Sequence, residues 1–135
     1  MSGIADTGFL VAFANRRDQF FPWAFALAQN ISEPLLTCEA VLAETAFHLR
    51  DSGLVLRMIE TGLVRVEFEV GAHVAELSIL AQRYRDREPD LADLCLIRMS
   101  ELCPKDPVIT VDGDFEVYRR NRRQVIPTIM PPDLS

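Results

Sequence analysis

Two aspartates directly follow short apolar runs, an arrangement that can place carboxylates in the ligand-binding crevice of a parallel sheet. Asp6 comes after the run 3–5, and Asp112 comes after the run 107–111. Ligands of open parallel sheets bind beyond the carboxyl ends of the strands. If the two runs are neighbouring strands, both side chains project into the same crevice, and we expect a carboxylate site there.

Two further acids are expected to reach this site from helices. Asp93 lies in the first turn of a helix predicted over 91–102, which would begin at the same sheet edge. Glu44 lies among apolar neighbours within a helix predicted over 38–49. A charge is costly to bury without a partner, so this position indicates a role for the carboxylate.

The predicted carboxylate cluster would need a cation, because crowded carboxylates repel one another and otherwise stay partly protonated. Oxygen ligands without an accompanying His or Cys favour Mg²⁺ or Mn²⁺ over zinc. Such a cation lowers the pKa of bound water and stabilises the charge that develops in phosphodiester hydrolysis. The hydroxyls of Thr7 and Thr110 are placed to hydrogen-bond a carboxylate or the phosphate. The cluster therefore indicates metal-dependent hydrolysis of a phosphodiester.

Each acid also fits an ordinary structural role. Asp6 could cap the first helix, Asp93 could complement the dipole of its helix, and Glu44 could face solvent. The tripeptide 112–114, in which Gly113 is free to take a positive φ, is also common turn sequence. No acid is specific alone, and the prediction rests on their joint occurrence.

The predicted elements alternate between strand and helix along the chain. Strands are predicted over 3–5, 34–37, 63–70, 107–111 and 125–130, and helices over 9–14, 20–29, 38–49, 54–61, 72–87, 91–102 and 115–121. This alternation favours a three-layer α/β/α sandwich built on a parallel sheet of about five strands. Pro127 cannot donate to a strand ladder, which places the last strand at an edge.

Length and composition fit one soluble domain. The chain has 135 residues and is 49% hydrophobic, so we expect one domain over 1–135 with a sizeable core. No apolar run approaches the roughly 18–20 residues of a membrane span, and no signal peptide is recognisable, so we expect a cytoplasmic protein. The three cysteines, Cys38, Cys95 and Cys103, form no CxxC pair and are expected to be reduced core thiols.

The charge pattern combines an acidic total with local arginine clusters. The formal net charge is −6, yet all 14 basic residues except Lys105 are arginines, and they cluster over 83–87 and 119–123. A guanidinium recognises phosphate better than an ammonium does. These clusters are either a phosphate-binding surface or solvated faces of the protein.

The acids lie in motifs that resemble those of the PIN-domain family. The motifs are residues 4–10 (IADTGFL), 38–44 (CEAVLAE), 90–93 (DLAD) and 109–115 (ITVDGDF). They occur in the order that the family shows and together span nearly the whole chain. The resemblance implies a parallel sheet of order 3-2-1-4-5 and a Mg²⁺- or Mn²⁺-dependent endoribonuclease directed at single strands.

By this resemblance, four acids are the catalytic residues and metal ligands: Asp6, Glu44, Asp93 and Asp112. Thr110 would be the accompanying hydroxyl. Asp114 would have a supporting role, and Asp90 could compete with Asp93 for the third acidic position. Gly8 departs from the family pattern, because many relatives carry a serine there, so a supporting hydroxyl would be missing.

The resemblance also implies partners. Small stand-alone prokaryotic members are commonly VapC-type toxins of toxin–antitoxin pairs, usually dimeric and silenced by an antitoxin segment that covers the acids. We therefore expect an RNA substrate, a cognate antitoxin and a homodimer. The aromatic residues Phe20, Phe21, Trp23 and Phe25 could contribute to such a surface or pack in the core.

Other functions fit the sequence less well, and one alternative stays open. The triplet Asp6, Thr7 and Gly8 also occurs in aspartic proteases, but those are all-β proteins. A phosphatase of the haloacid-dehalogenase type needs a second aspartate at position 8, and a receiver domain needs a lysine after a late strand, whereas Lys105 precedes one. The open alternative is a catalytically inactive PIN-like module that binds RNA or protein.

Overall fold

Five parallel strands form the sheet that the sequence predicts. The computed structural model describes residues 1–132 and gives seven strands: β1 (Ile4–Ala5), β2 (Leu35–Cys38), β3 (Val64–Phe68), β4 (Val108–Ile109), β5 (Arg119–Arg120), β6 (Gln124–Val125) and β7 (Thr128–Ile129). The sheet has the order β3-β2-β1-β4-β7, and every neighbouring pair is parallel. The predicted order is confirmed, because β7 is the fifth strand of this sheet while β5 and β6 form a separate antiparallel hairpin.

Six α-helices accompany the sheet in the described part of the chain, as expected for an α/β fold. They are α1 (Thr7–Ala14), α2 (Phe21–Ala28), α3 (Glu39–Leu49), α4 (Ser52–Glu60), α5 (Val74–Arg83) and α6 (Leu91–Leu102). Three 3₁₀ turns, Val70–Ala72, Arg85–Arg87 and Gly113–Glu116, connect them to their neighbours. Within residues 1–132, no helix combines the length and the hydropathy needed to cross a bilayer.

The predicted helix over 115–121 is wrong. A 3₁₀ turn, Gly113–Glu116, ends there, and the chain then enters the β5–β6 hairpin. The reason is tertiary: the Arg120 side chain is buried and donates to the backbone and the hydroxyl of Ser100 at 2.9 and 3.0 Å. Side-chain contacts of this kind override a weak local helix preference.

Two other predicted boundaries also change. The strand over 125–130 is divided into β6 and β7, because Pro127 has no N–H for a ladder, although its carbonyl accepts from Val108 N at 2.9 Å. β7 lies at the sheet edge, as predicted. The helix over 72–87 is shorter than predicted, since α5 ends at Arg83 and a 3₁₀ turn follows, closed by Glu88 at a φ of 49°.

The core lies between the central strands and α6. Ile4 and Ala5 of β1 are fully buried between β2 and β4, and α6 contacts both β1 and β2. α6 is buried along most of its length, with Leu96 and Ile97 at 0% exposure. Burying one such side chain contributes about 1.5–3 kcal/mol, so α6 fixes the position of its own first turn against the sheet. All three cysteines are free thiols, as predicted.

Four elements begin at the edge of the sheet where the parallel strands end. α1 begins immediately after β1, α3 begins immediately after β2, and the 3₁₀ turn Gly113–Glu116 follows β4 after a short loop. α6 begins at the same edge, since its first turn hydrogen-bonds to the segment that follows this 3₁₀ turn. Asp6, Asp93 and Asp112 lie at these junctions, and Glu44 lies within α3.

Candidate active site

Asp6 is a buried carboxylate at the end of β1. It is 6% exposed, and it caps α1 by accepting a hydrogen bond from Thr7 N on Oδ1 at 2.6 Å. Its Oδ2 accepts from the Thr110 hydroxyl, also at 2.6 Å. The helix-capping role that the sequence left open is therefore present, and it orients the same carboxylate towards the cleft.

Thr110 joins the two aspartates that follow the central strands. While its hydroxyl donates to Asp6, it accepts from the backbone N–H of Asp112 at 2.9 Å. Thr110 is fully buried, so these two hydrogen bonds satisfy its polar atom where water cannot. The predicted adjacency of Asp6 and Asp112 is thus mediated by this hydroxyl.

Asp93, Asp112 and Asp114 form the tightest group of carboxylates. Each offers an oxygen, and these oxygens all lie within 4.8 Å of one another. Asp112 Oδ1 also accepts from the backbone N–H of Asp114 at 2.9 Å. Asp114 Oδ1 forms an ion pair with Arg87 NH1 at 2.9 Å. Asp114, which was predicted only to support the site, therefore lies close enough to Asp93 and Asp112 to share a cation with them.

Asp93 is positioned by its helix and by a residue that the sequence did not indicate. Asp90 caps α6 by accepting from the backbone N–H of Asp93 at 2.8 Å. The fully buried Tyr118 donates its hydroxyl to Asp93 Oδ2 at 3.1 Å. The spacing of Tyr118 carried no signal, because the segment was predicted to be a helix rather than the entry to a hairpin.

Glu44 reaches the site from the first half of α3. Its side chain is partly buried, and Thr7 Oγ1 donates to Glu44 Oε1 at 3.4 Å. Thr7 thus contacts Asp6 through its backbone and Glu44 through its hydroxyl. The solvent-facing alternative for Glu44 is not what the structure shows.

All four predicted acids line one cleft of about 390 Å³. Asp90, Thr7 and Gly8 also line it, together with residues that the sequence did not single out for the site: Val11, Asp18, Gln19, Phe20, His48 and Val111. A larger cleft of about 560 Å³ lies elsewhere, between α1, α2 and α4, and its lining is mainly apolar. The smaller cleft holds the converging polar groups that catalysis requires, so we assign the site there.

Burial and mutual repulsion raise the pKa of the four acids predicted as metal ligands, Asp6, Glu44, Asp93 and Asp112. Burial raises the pKa of Asp6 to about 6, although hydrogen bonds from Thr110 and Thr7 oppose the shift. Burial, followed by repulsion from Asp90, Asp6 and Asp112, raises the pKa of Asp93 to about 8.

The same causes act on the other two acids. The pKa of Glu44 is raised by burial and then by the nearby Asp90, and the pKa of Asp112 is raised chiefly by burial. The cleft thus retains protons near neutral pH unless positive charge enters it. The four acids offer only oxygen ligands, which suit a hard divalent cation, although His48 also lines the cleft.

Gly8 has a steric explanation. A Cβ atom at this position would overlap Cγ2 of Val111, the residue between Thr110 and Asp112. A serine therefore cannot be accommodated beside this valine unless Val111 moves. The absent hydroxyl follows from the close approach of α1 to the end of β4.

Comparisons with known proteins show the fold. No family model matches the sequence, and no curated protein matches it significantly. The crystal structure of Mycobacterium tuberculosis VapC20, described as a Sarcin-Ricin loop cleaving toxin, superposes with a TM-score of 0.75 at 21% sequence identity. The match covers 87% of this chain and 94% of VapC20. The fold implied by the resemblance is confirmed: this chain shares the α/β fold of VapC20.

Proposed function

We propose that the protein is a Mg²⁺- or Mn²⁺-dependent endoribonuclease that hydrolyses RNA phosphodiester bonds. The observation that carries the proposal is the convergence of Asp6, Glu44, Asp93 and Asp112 in one cleft at the carboxyl edge of the sheet. Their raised pKa values support a cation as the missing counter-charge. The fold shared with VapC20, described as a Sarcin-Ricin loop cleaving toxin, supports RNA as the substrate.

The proposed catalytic residues and metal ligands are Asp6, Glu44, Asp93 and Asp112. Thr110 and the backbone of Thr7 fix Asp6, and the Tyr118 hydroxyl holds one oxygen of Asp93 and leaves the other free. Asp114 lies close enough to contribute a ligand oxygen as well. A bound Mg²⁺ or Mn²⁺ would lower the pKa of a water nucleophile and stabilise charge on the phosphate.

The ordered hydrogen bonds around these acids indicate that little rearrangement precedes binding. Asp112 donates its backbone N–H to the Thr110 hydroxyl and accepts on Oδ1 from the backbone N–H of Asp114, at 2.9 Å each. A site whose ligands are already oriented loses less entropy when the cation and substrate bind.

We further propose that the protein is the toxin of a toxin–antitoxin pair. In this role it would form a single PIN-like domain over 1–135, act in the cytoplasm as a homodimer and be silenced by a cognate antitoxin. The likeness to VapC20 supports this proposal. Residues 133–135 of the proposed domain lie outside the described residues.

The test is RNA cleavage by the purified protein. A panel of structured and single-stranded RNAs is incubated with Mg²⁺, Mn²⁺ or EDTA, beside an Asp6→Asn variant and a matched exposed-acid control, Glu60→Gln. We expect metal-dependent cleavage that EDTA and Asp6→Asn abolish and that Glu60→Gln retains. Cleavage that persists in Asp6→Asn would refute the assigned site. Absence of both cleavage and Mn²⁺ binding would favour an inactive PIN-like module.

A further inference from the structure

Two arginine-rich segments that are distant in sequence lie side by side next to the acid cleft. Tyr84, which follows α5, accepts a hydrogen bond from the backbone N–H of Arg119 at 2.8 Å. Its ring packs edge-on against Tyr118 with a centroid separation of 5.0 Å, and Tyr118 donates to Asp93. The end of α5 and the start of the β5–β6 hairpin are therefore both anchored at the cleft.

The arginines of these segments divide into structural and free groups. Arg119 donates to three backbone carbonyls at 2.8 to 3.2 Å, and the buried Arg120 donates to Ser100 and Pro104. Four exposed guanidinium groups have no hydrogen-bond or ion-pair partner within residues 1–132: Arg83, Arg85, Arg122 and Arg123. Arg87 is also exposed, and it uses one nitrogen for the ion pair with Asp114.

The hairpin loop holds its arginines in a fixed and strained backbone. Asn121 and Arg122 have φ values of 47° and 74°. Glu101 accepts from the Asn121 N–H at 2.7 Å, and the Asn121 side chain donates to Gln124 at 3.1 Å. Asparagine tolerates a positive φ, but arginine does so at a cost in free energy. An arginine at this position indicates a use for its side chain rather than for its backbone.

The free arginines extend away from the cleft along α6. Arg87 lies at the cleft through Asp114, whereas the hairpin loop is tied to Glu101, eight residues after Asp93. At 1.5 Å per residue, this separation is about 12 Å along the helix. The segment 119–125 contains four arginines and no acid in a chain whose formal net charge is −6. The hairpin loop is thus a local concentration of positive charge in an acidic protein, whereas Asp86 and Glu88 accompany the arginines of 83–87.

We infer that Arg83, Arg85, Arg87, Arg122 and Arg123 form an arginine surface that binds the phosphate backbone of RNA adjoining the scissile bond. Guanidinium groups bind phosphate oxygens in a planar, bidentate manner, and such contacts position a strand without reading its sequence. Arg87 of this surface pairs with Asp114, which lies beside the acid cleft. RNA that leaves the cleft on this side therefore passes over the arginine surface. This inference rests on the proposed function for the identity of the ligand as RNA.

The test measures RNA binding without cleavage, in the Asp6→Asn background. The probe is a fluorescein-labelled oligouridine, and its anisotropy is followed over a range of KCl concentrations. Two double variants remove the surface charges: Arg83→Gln with Arg85→Gln, and Arg122→Gln with Arg123→Gln. The matched control, Arg57→Gln with Arg65→Gln, removes two exposed arginines from α4 and β3, and neither residue lines the acid cleft.

We expect each surface variant to weaken oligouridine binding about tenfold at low salt and the control to bind as the parent does. The slope of log affinity against log salt should fall by about 1.4 for two lost phosphate contacts on a single strand. Arg122→Asn, which suits the positive φ, should weaken binding while leaving thermal stability equal or higher. This variant separates the guanidinium from any effect on folding.

Several results would overturn the inference. One is that the control variant weakens oligouridine binding as much as the surface variants do. Another is that the surface variants bind oligouridine as tightly as the parent protein does. The third is that the parent protein does not bind oligouridine. If the surface variants lose binding to labelled polyglutamate but retain RNA binding, the surface is assigned to an acidic protein partner instead.

Parallel cleavage assays keep this inference separate from the proposed function. If the protein without the Asp6 change cuts RNA but the surface variants bind RNA normally, the surface is refuted and the nuclease stands. If the protein neither cuts RNA nor binds Mn²⁺ and the surface variants still lose RNA binding, the surface is supported and the nuclease is refuted.

Discussion

The Tyr118 hydroxyl donates a hydrogen bond to Asp93 Oδ2 at 3.1 Å, and this contact ties the β5–β6 hairpin to the acid cleft. Tyr118 is fully buried, and burial together with the nearby Asp93 raises the pKa of its phenol. The phenol therefore stays protonated and remains a donor. The hydrogen bond fixes the orientation of the Asp93 carboxylate, whose oxygens keep lone pairs for another ligand, so we infer that Tyr118 is a positioning residue for the acid.

Tyr118→Phe removes this donor while keeping the buried ring. We predict that Mn²⁺ affinity, measured by calorimetry, falls roughly tenfold to a hundredfold, the usual effect of losing a residue that orients a metal ligand. Tyr84→Phe is the matched control, because that hydroxyl bonds the backbone of Arg119 and touches no acid. Equal Mn²⁺ affinities for wild type and Tyr118→Phe would show that Tyr118 does not position Asp93 for the cation.

The acid cleft should make the metal-free protein less stable as pH rises. The folded-state pKa values, about 6 for Asp6 and about 8 for Asp93, lie above the ordinary value of 3.8. Folding thus favours the protonated forms, and their contribution to stability is lost as pH rises towards and through 8. Urea unfolding in EDTA between pH 5 and about 8.5 should show a falling free energy of unfolding.

Asp93→Asn supplies the control for this pH dependence. An amide has no proton to lose, so the variant should show a flatter pH profile and a higher stability than wild type at pH 8 in EDTA. Added Mn²⁺ should stabilise wild type more at pH 8 than at pH 6, because binding must displace protons from the acids. A wild-type profile that rises with pH, or one that Asp93→Asn leaves unchanged, would contradict the raised pKa.

The contact between Gly8 and Val111 predicts a coupled pair of substitutions. Gly8→Ser places a Cβ against Val111 Cγ2 and should destabilise the protein by about 1–3 kcal/mol, the typical effect of overpacking. Val111→Ala removes the opposing methyl groups, so the double variant should recover most of that loss in urea unfolding. If the two substitutions change the free energy of unfolding additively, the contact with Val111 is not what excludes a side chain at position 8.

The sequence predicts the sheet and the acids for the same reason. Asp6 and Asp112 follow apolar runs, and parallel strands must bring such residues to one edge, so the topology alone makes them neighbours. Glu44 and Asp93 were predicted because a carboxylate among apolar neighbours, or in a first helical turn at the sheet edge, can reach the same crevice, although each also fits an ordinary structural role. The joint occurrence of these local patterns was sufficient to predict that the four acids line one cleft.

Contacts that depend on the hairpin could not be predicted. Tyr118 reaches Asp93 only because the chain leaves the 3₁₀ turn as a strand, and the loop reverses through positive φ at Asn121 and Arg122 without a glycine to indicate it. The division of the arginines into buried and free groups likewise depends on where Ser100 lies. Both are set by tertiary packing rather than by local pattern.

The most direct test of the central claim is Mn²⁺ titration of the metal-free protein at pH 8, followed by calorimetry, for wild type, Asp6→Asn and Asp112→Asn. If the acids form one cation site, wild type binds Mn²⁺, each variant loses at least about tenfold in affinity, and the exposed control Glu60→Gln binds as wild type does. Absence of Mn²⁺ binding by wild type, or equal affinities in all four proteins, would contradict the account.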